Sequence, residues 1–148
     1  MSSIPSITHE TTLFVRDHCL CLHTQRAART LARRFDEVLR PLGLKSGQFS
    51  LLISLNRPEP PSMGAVAALL AMDRTTLTAN LKPLERRGLL IVTADETDRR
   101  TRRLQLTDAG RTVLEAAIPI WERTHAAVER ELEPHAASRL RSSLQALA

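Results

Sequence analysis

The sequence predicts a mainly α-helical protein with one small β-hairpin. Apolar residues recur at helical spacing over most of the 148-residue chain. Near the middle, residues 89–93 are β-like, and residues 103–106 alternate polar and apolar side chains, as a half-exposed strand does. Between them, residues 98–103 read DRRTRR, with four arginines in six positions. We therefore expect a single domain, residues 1–148, in which a helical body carries a projecting, positively charged loop.

The first long element is a predicted helix over about residues 12–42. Its second half carries an apolar stripe, and the arginines lie off that stripe. Pro41 and Gly43 end it, because proline cannot continue a helix and glycine favours the turn that follows. A second helix is expected from a cap at Ser46 to the proline-rich segment 57–61.

Two further helices follow in the middle of the chain. Ser62 caps a short helix over residues 63–70, and Asp73 caps one over residues 74–87. Gly88 stands where a glycine commonly closes a helix. Together the pair is typical of a helix-turn-helix.

A hairpin and two more helices complete the prediction. Residues 89–93 are strand-like, and Leu104 and Leu106 alternate with polar residues as in a return strand. The loop between them is too long for a two-residue turn, so it should project from the body. Thr107 begins a long helix that ends at Pro134, and a last helix follows.

Composition and charge narrow the classes of function. Against 16 acids, 21 Lys and Arg give a net charge of +5, which favours an anionic partner where the cations cluster. Aromatic residues make up 3% of the chain and tyrosine is absent, which argues against a base-stacking platform for single strands. The N-terminal segment lacks a signal-peptide pattern, and the apolar run 65–72 is too short to cross a bilayer. We expect a cytoplasmic protein without membrane contact and with reduced thiols.

The helix over residues 74–87 has the pattern of a DNA-recognition helix. Leu77, Leu81 and Leu84 recur at i, i+4 and i+7 and should face inward. The outer face and its flanks carry hydroxyls and cations, which suit base edges and phosphates in a major groove. The candidate contacts are Arg74, Thr75, Thr76, Thr78 and Lys82. The alternative is a polar helix face exposed to solvent.

The arginine loop provides a second reading element. A hairpin with a cationic tip after a helix-turn-helix is typical of a wing, and each guanidinium would neutralise a phosphate or enter the narrow minor groove. An acid in the loop would orient a neighbouring guanidinium through a bidentate pair. The wing candidates are Asp98, Arg99, Arg100, Arg102 and Arg103. The alternative is a run of charges that contacts only solvent. Such a run would not need two flanking strands to orient it.

These segments resemble the multiple-antibiotic-resistance regulator (MarR) family of winged-helix repressors. The resemblance is carried by DRTTLTANLKPLERRGLL from Asp73 and by ADETDRRTRRLQLTDAG from Ala94. It implies that Arg100 enters the minor groove with Asp98 as its partner, and that the candidate residues of the helix contact the major groove. The family's wing signature is matched by Asp98, Arg100, Leu106, Thr107, Ala109 and Gly110.

One departure lies inside the recognition helix. Pro83 should bend it near Ala79, whose carbonyl loses its amide partner. Lys82 is next to this bend, so the bend affects its position more than it affects the positions of Arg74 and Thr76.

The two ends of the chain predict a homodimer. Residues 12–42 and 107–148 carry apolar stripes, and the resemblance implies that they interdigitate as dimerisation helices, flanking a winged helix-turn-helix region over residues 46–106. Two recognition helices about one helical turn apart would read a palindromic operator in double-stranded DNA. The alternative is that the stripes close the core of a monomer.

The segment HCLCLH, residues 18–23, concentrates reactive side chains in the first helix. On one helix Cys19 and Cys21 point to nearly opposite sides, so they cannot form a disulfide with each other unless the helix opens. The pairs His18–Cys21 and Cys19–His23 lie on different faces, so we expect no metal site from these four alone.

The resemblance makes redox sensing a hypothesis for this segment. Cys21 falls where some family members sense organic hydroperoxides, and Cys19 is the second candidate. Those sensors use tyrosines to bond the thiolate, whereas this chain has none and places Gln25 and Phe35 near those positions. The alternatives are that both cysteines pack as small hydrophobes, or that a small aromatic ligand binds between the dimerisation and DNA-binding regions.

The sequence therefore predicts a homodimeric, sequence-specific DNA-binding transcription factor, a repressor released by an oxidant or a small ligand, with no cofactor. A sequence-indifferent architectural DNA-binding protein is one alternative. A thiol peroxidase using Cys21 is another, but the sequence shows no phosphate-binding glycine loop, paired catalytic carboxylates or nucleophile–base motif, so we expect no enzyme.

Overall fold

The computed structural model describes residues 7–148. Residues 1–6, part of the predicted domain and of the N-terminal segment considered above, lie outside the described residues. The chain is mainly helical with one antiparallel hairpin, which confirms the predicted fold class. In chain order the elements are α1 (His9–His18), α2 (Leu20–Leu39), a 3₁₀ turn (Arg40–Leu42), α3 (Ser46–Ser54), α4 (Met63–Leu69), α5 (Arg74–Arg86), β1 (Leu90–Ala94), β2 (Arg102–Leu106), α6 (Asp108–Arg130) and α7 (Ala136–Gln145).

The long first helix is interrupted, which corrects the prediction of one continuous element. At Cys19 the backbone is extended, with φ −70° and ψ 110°, and this residue closes α1 and begins α2. The Cys19 Sγ accepts a hydrogen bond from the Leu22 amide at 3.4 Å and so acts as the N-cap of α2. The break carries neither proline nor glycine, the residues that sequence reasoning uses to place helix ends.

Three of the predicted caps are confirmed. The side chains of Ser62, Asp73 and Thr107 accept bonds from backbone amides in the first turns of α4, α5 and α6. The cap at Ser46 is wrong. The structure places Lys45 at the N-cap, with the Gln48 side chain accepting from its amide at 3.0 Å, and the Ser46 amide donates to the Asp36 carboxylate at 2.6 Å.

Leucine side chains join the elements into one core. α5 contributes Leu77, Leu81 and Leu84, each at most 1% exposed, as their spacing predicts. Leu39 at the end of α2 and Leu104 on β2 are fully buried in the same cluster. The recognition helix, the wing and the long helices therefore share one packed interior, and burial of each leucine contributes roughly 1.5–3 kcal/mol.

The hairpin is fixed to the start of α6 by a close backbone approach. Leu90 pairs with Leu106 at the base of the hairpin. The Thr107 amide donates to the Leu89 carbonyl at 3.2 Å, and its hydroxyl donates to the Gly88 carbonyl. A Cβ at Gly110 would lie 2.1 Å from the Leu89 oxygen, so this contact admits only glycine.

The two ends of the chain leave apolar side chains exposed. Phe14 and Val15 on α1 are 63% and 52% exposed, and Leu140 and Leu144 on α7 are 47% and 41% exposed. Apolar surface near both ends of the chain is therefore not covered within the described residues. Within residues 7–148, no helix is both long enough and apolar enough to span a bilayer.

Replacement of Gly110 by alanine should destabilise the fold. The added methyl group meets a backbone carbonyl that cannot rotate away, so we expect a loss of about 1–3 kcal/mol in the free energy of unfolding. The control is Gly47→Ala in α3, where a Cβ has no neighbour within 4 Å, and a helical Gly→Ala change should be neutral or stabilise by about 0.4–1 kcal/mol. Urea denaturation measures both variants, and equal stability would contradict the close approach.

Candidate nucleic-acid interface

The start of the recognition helix α5 is organised by the carboxylate of Asp73. It accepts from the Thr76 amide at 2.7 Å and from the Thr76 hydroxyl at 3.0 Å. The hydrogen bond from the Thr76 amide, followed by that from its hydroxyl, lowers the pKa of Asp73 below its ordinary value of 3.8. The first turn is thus fixed by bonds within the chain, and its remaining side chains stay available.

The exposed face of α5 forms a shallow groove of about 370 Å³. Four of the five predicted helix contacts line it together with one alanine: Arg74, Thr75, Thr78, Ala79 and Lys82. The fifth, Thr76, lies outside this groove. The leucines on the inner face of the same helix are buried, so a duplex can reach only the exposed sides of α5, which include this groove.

The three threonines differ in what they can offer a base. The Thr76 hydroxyl is engaged with Asp73, and the Thr78 hydroxyl donates to the Arg74 carbonyl at 2.8 Å. Among residues 7–148 the Thr75 hydroxyl has no such partner, so it keeps its donor. Thr76 and Thr78 retain methyl groups, which suit contact with thymine, and acceptor lone pairs.

Pro83 does not end the helix. α5 runs through it to Arg86, and Lys82 still faces the groove beside Ala79. On the other side of α5, Asn80 donates to the Met72 sulfur at 3.4 Å. A cavity of about 310 Å³ opens there, between the recognition helix, the end of α2 and the start of α3.

One carboxylate, that of Asp95, organises the wing loop. Its Oδ1 accepts from Arg103 Nε at 2.7 Å, and its Oδ2 accepts from the Thr97 hydroxyl at 2.9 Å and from the Asp98 amide at 3.1 Å. The hydrogen bond from Arg103, followed by that from Thr97, lowers the pKa of Asp95 from 3.8 to about 2. Sequence reasoning did not select Asp95, although an acid directly after a strand and two residues before a threonine is the pattern of a side-chain-stabilised turn.

Asp98 has a different role from the one predicted. Its carboxylate accepts from the Arg100 amide at 3.0 Å and from the Thr101 hydroxyl at 3.3 Å. In this structure it shapes the backbone of the loop and pairs with no guanidinium within residues 7–148. The predicted bidentate pair with a neighbouring arginine is therefore not formed within the described residues.

Arg103 is turned inward, which corrects its inclusion among the wing cations. Besides its pair with Asp95, its Nη1 donates to the Pro60 carbonyl at 3.1 Å, so it fixes the hairpin to the segment before α4. The three other arginines are exposed and form no ion pair or hydrogen bond through their side chains within the described chain. The projecting cations are Arg99, Arg100 and Arg102.

The cysteine segment lies far along the chain from this interface. Cys21 is exposed and accepts from the Gln25 amide at 3.2 Å, whereas Cys19 is half-buried at the helix break. Cys19 forms the break as the N-cap of α2, and Cys21 lies in the first turn of that helix. His18 and His23 bond the carbonyls of Phe14 and Cys19 through Nδ1. In the described part of the chain, no group of three or more His, Cys, Asp or Glu is placed to hold a metal ion.

Comparison with known proteins identifies the family. The family model described as "MarR family" matches residues 42–101, which include the recognition helix and most of the wing. The transcriptional regulator MosR of Mycobacterium tuberculosis, solved in complex with DNA, is 37% identical, with 88% of this chain and 96% of that chain covered at a TM-score of 0.78. This chain belongs to the MarR family. It is a DNA-binding transcriptional regulator with a winged-helix fold.

Two curated regulators show further similarity. The transcriptional activatory protein BadR of Rhodopseudomonas palustris is 38% identical over 76 residues, or 49% of this chain and 43% of that protein. The organic hydroperoxide resistance transcriptional regulator of Bacillus subtilis is 28% identical over 101 residues, or 68% of this chain and 69% of that protein. The similarity to BadR thus spans less than half of its length.

The contact between Asp95 and Arg103 predicts a pH dependence of the wing. Because the folded pKa of Asp95, about 2, lies below its unfolded value, the contact contributes fully above pH 4 and is lost as the pH falls from about 4 through about 2. The Asp95 carboxyl carbon should titrate near pH 2 by NMR, and Arg103→Gln should move that midpoint towards 3.8. A wild-type midpoint already near 3.8 would contradict the ion pair. Arg102→Gln, which removes an exposed neighbour, is the matched control.

Proposed function

We propose that the protein is a homodimeric, sequence-specific repressor that reads a palindromic operator and is released by oxidation or by a small ligand. The observation that carries this proposal is the joint placement of two DNA-reading elements on one rigid core. The groove of α5 and the wing arginines are exposed, while the opposite faces of both elements are buried.

The different side chains that α5 and the wing present support sequence-specific DNA binding. The α5 groove presents Thr75, Thr78 and two cations, the types of side chain that contact base edges and phosphates in a major groove. The wing presents Arg100 and its neighbours on a loop whose backbone is held by Asp95 and Asp98, so that a guanidinium can enter an adjacent minor groove. An architectural protein that ignores sequence has no use for the ordered α5 face.

The exposed apolar ends support the homodimer. Phe14 and Val15 on α1, with Leu140 and Leu144 on α7, leave apolar surface that a monomer would expose to water. Pairing through these helices would bury it and would hold two recognition helices at a fixed separation. An operator with two-fold symmetry then gains from both subunits.

Two features support control by a signal. Cys21 is exposed and accepts a hydrogen bond from Gln25, an amide donor at a position where hydroperoxide-sensing relatives are expected to use a phenol. The cavity beside α5 is lined by Asp36, Lys45 and Pro83, so a small molecule there would press on the recognition helix. Coupling of about 1–3 kcal/mol at either place would change DNA affinity by about 5–150-fold.

Alanine at Arg100 should weaken operator binding and lower its salt dependence. Loss of one minor-groove or phosphate contact should cost about 1–3 kcal/mol and reduce the salt slope by about one. Gel shifts on the palindrome upstream of its own gene, from 50 to 200 mM salt, measure both quantities. Arg123→Ala is the matched comparison, because it removes an exposed cation of α6 outside both DNA-reading elements and should not change the slope. Unchanged binding by Arg100→Ala would contradict the wing assignment, and equal affinity for unrelated DNA would favour the architectural alternative.

Oxidation should release the wild-type protein from the operator if a cysteine is the sensor. Gel shifts with and without an organic hydroperoxide should show loss of binding, and Cys21→Ser should retain binding in oxidant. Cys19→Ser is the matched variant, and protection by it alone would assign sensing to the half-buried thiol. Indifference of the wild type to oxidant would leave ligand control as the signal. Catalytic turnover of peroxide with a thiol reductant would instead support the peroxidase alternative.

A further inference from the structure

Arg87 joins the recognition helix to the segment that follows α2. It is the C-cap residue of α5. Its Nη1 donates to the Gly43 carbonyl at 2.7 Å, and its Nη2 donates to the Leu42 carbonyl at 3.2 Å. Within residues 7–148, these are the hydrogen bonds that connect α5 directly to the end of the dimerisation helix and its turn.

The carbonyls that receive Arg87 need donors. α2 and its 3₁₀ turn end at Gly43, which adopts a left-handed conformation with φ +65°. Carbonyls at a helix end lack amide partners and carry the negative end of the helix dipole, so they attract a cation. A guanidinium satisfies two of them at once through its planar fork, which a lysine ammonium does not reproduce.

Gly43 is also shaped for this contact. A Cβ there would lie 3.3 Å from Arg87 Nη2, and the positive φ disfavours any side chain. The glycine therefore both closes the turn and leaves room for the guanidinium. The predicted role of Gly43, which was to stop a helix, covers only the first of these two effects.

We propose that Arg87 is a positioning residue for DNA binding, whose guanidinium fixes the orientation of the recognition helix relative to the dimerisation helix. This inference rests on the proposed dimeric reading of a palindrome. Each dimerisation helix is held by the subunit interface, so a link from it to α5 sets the separation and angle of the two recognition helices. The operator spacing that the dimer accepts then depends on Arg87.

Arg87 acts through geometry, which distinguishes it from a phosphate contact. A phosphate contact raises affinity for every duplex and contributes to the salt slope. A positioning contact affects how steeply affinity falls when the half-sites are moved apart. One added base pair shifts a half-site by ~3.4 Å and rotates it by ~35°, so a rigidly held pair of helices should resist it.

The experiment measures spacing preference. Operator duplexes carry the two half-sites at the natural spacing and with one or two base pairs added or removed. Wild type should lose ~10-fold or more in affinity per added base pair, a value within the range of measured couplings. Arg87→Met should reduce that ratio to ~3-fold or less, because the helix can adjust. Arg87→Lys keeps the charge but not the fork, so it should keep the wild-type salt slope and still relax the spacing preference.

Two controls separate the outcomes. Arg86→Met removes the same charge from the adjacent exposed position, and it should retain the wild-type spacing ratio. Thermal unfolding of each variant verifies that it is folded at the temperature of the gel shift. The proposal is overturned if Arg87→Met binds all spacings more weakly by one common factor, or if Arg87→Lys behaves as wild type. Failure of the proposed function appears elsewhere, as a wild type that has no preferred spacing or no preferred sequence.

Discussion

The DNA-binding surface formed by α5 and the wing depends on the hydrogen bonds that hold a positively charged loop in one conformation. Arg99, Arg100 and Arg102 repel one another, and no acid within the described chain pairs with their side chains. Asp95 offsets this cost at the base of the loop, where it accepts from the side chains of Arg103 and Thr97 and from the Asp98 amide. The acids of the wing stabilise its backbone, and the guanidiniums remain available for an external anion.

Arg103 stabilises the arginine loop in two ways, through an ion pair within the wing and through a hydrogen bond to another segment of the chain. Arg103 bonds the Pro60 carbonyl while it pairs with Asp95, so the hairpin is fixed to the entrance of the helix-turn-helix. At the other side, Thr107 and Gly110 bring α6 against the Leu89 carbonyl. Wing, recognition helix and long helix therefore have little freedom relative to one another. Since both reading elements belong to one rigid body, their separation is set before DNA arrives.

Local signals allowed most of the fold to be predicted. Caps at Ser62, Asp73 and Thr107 and the left-handed Gly88 act within a few residues, and the leucine spacing of α5 depends only on its own period. The break at Cys19 was missed, because its cap is a sulfur rather than a hydroxyl or carboxylate.

The errors at the site have one physical cause, which is that these side chains bond to backbone groups and hydroxyls that a charge pattern does not reveal. Charge alone predicted that all four wing arginines project, but Arg103 is turned inward by a carbonyl 43 residues earlier in the chain. The charge pattern predicted that the Asp98 carboxylate pairs with a guanidinium. Its oxygens instead accept hydrogen bonds from a nearby backbone amide and a nearby hydroxyl. Arg87 was not selected, because its partners lie 44 and 45 residues away and are carbonyls, which no side-chain pattern reveals.

The helix α2 gives the proposed mechanism its mechanical basis. It has 20 residues, so it spans about 30 Å, with the cysteine segment at its first turn and the turn held by Arg87 just after its last. A tilt of roughly 6° about one end of a 30 Å rod moves the other end by about 3 Å, which is close to the rise of one base pair. A small rearrangement at Cys19 or Cys21 would therefore be large enough to misplace a recognition helix, provided that the far end is linked to that helix. The buried Leu39 and the two hydrogen bonds of Arg87 together form that link, so a tilt of α2 would reach α5 and would not be absorbed at the Gly43 turn alone.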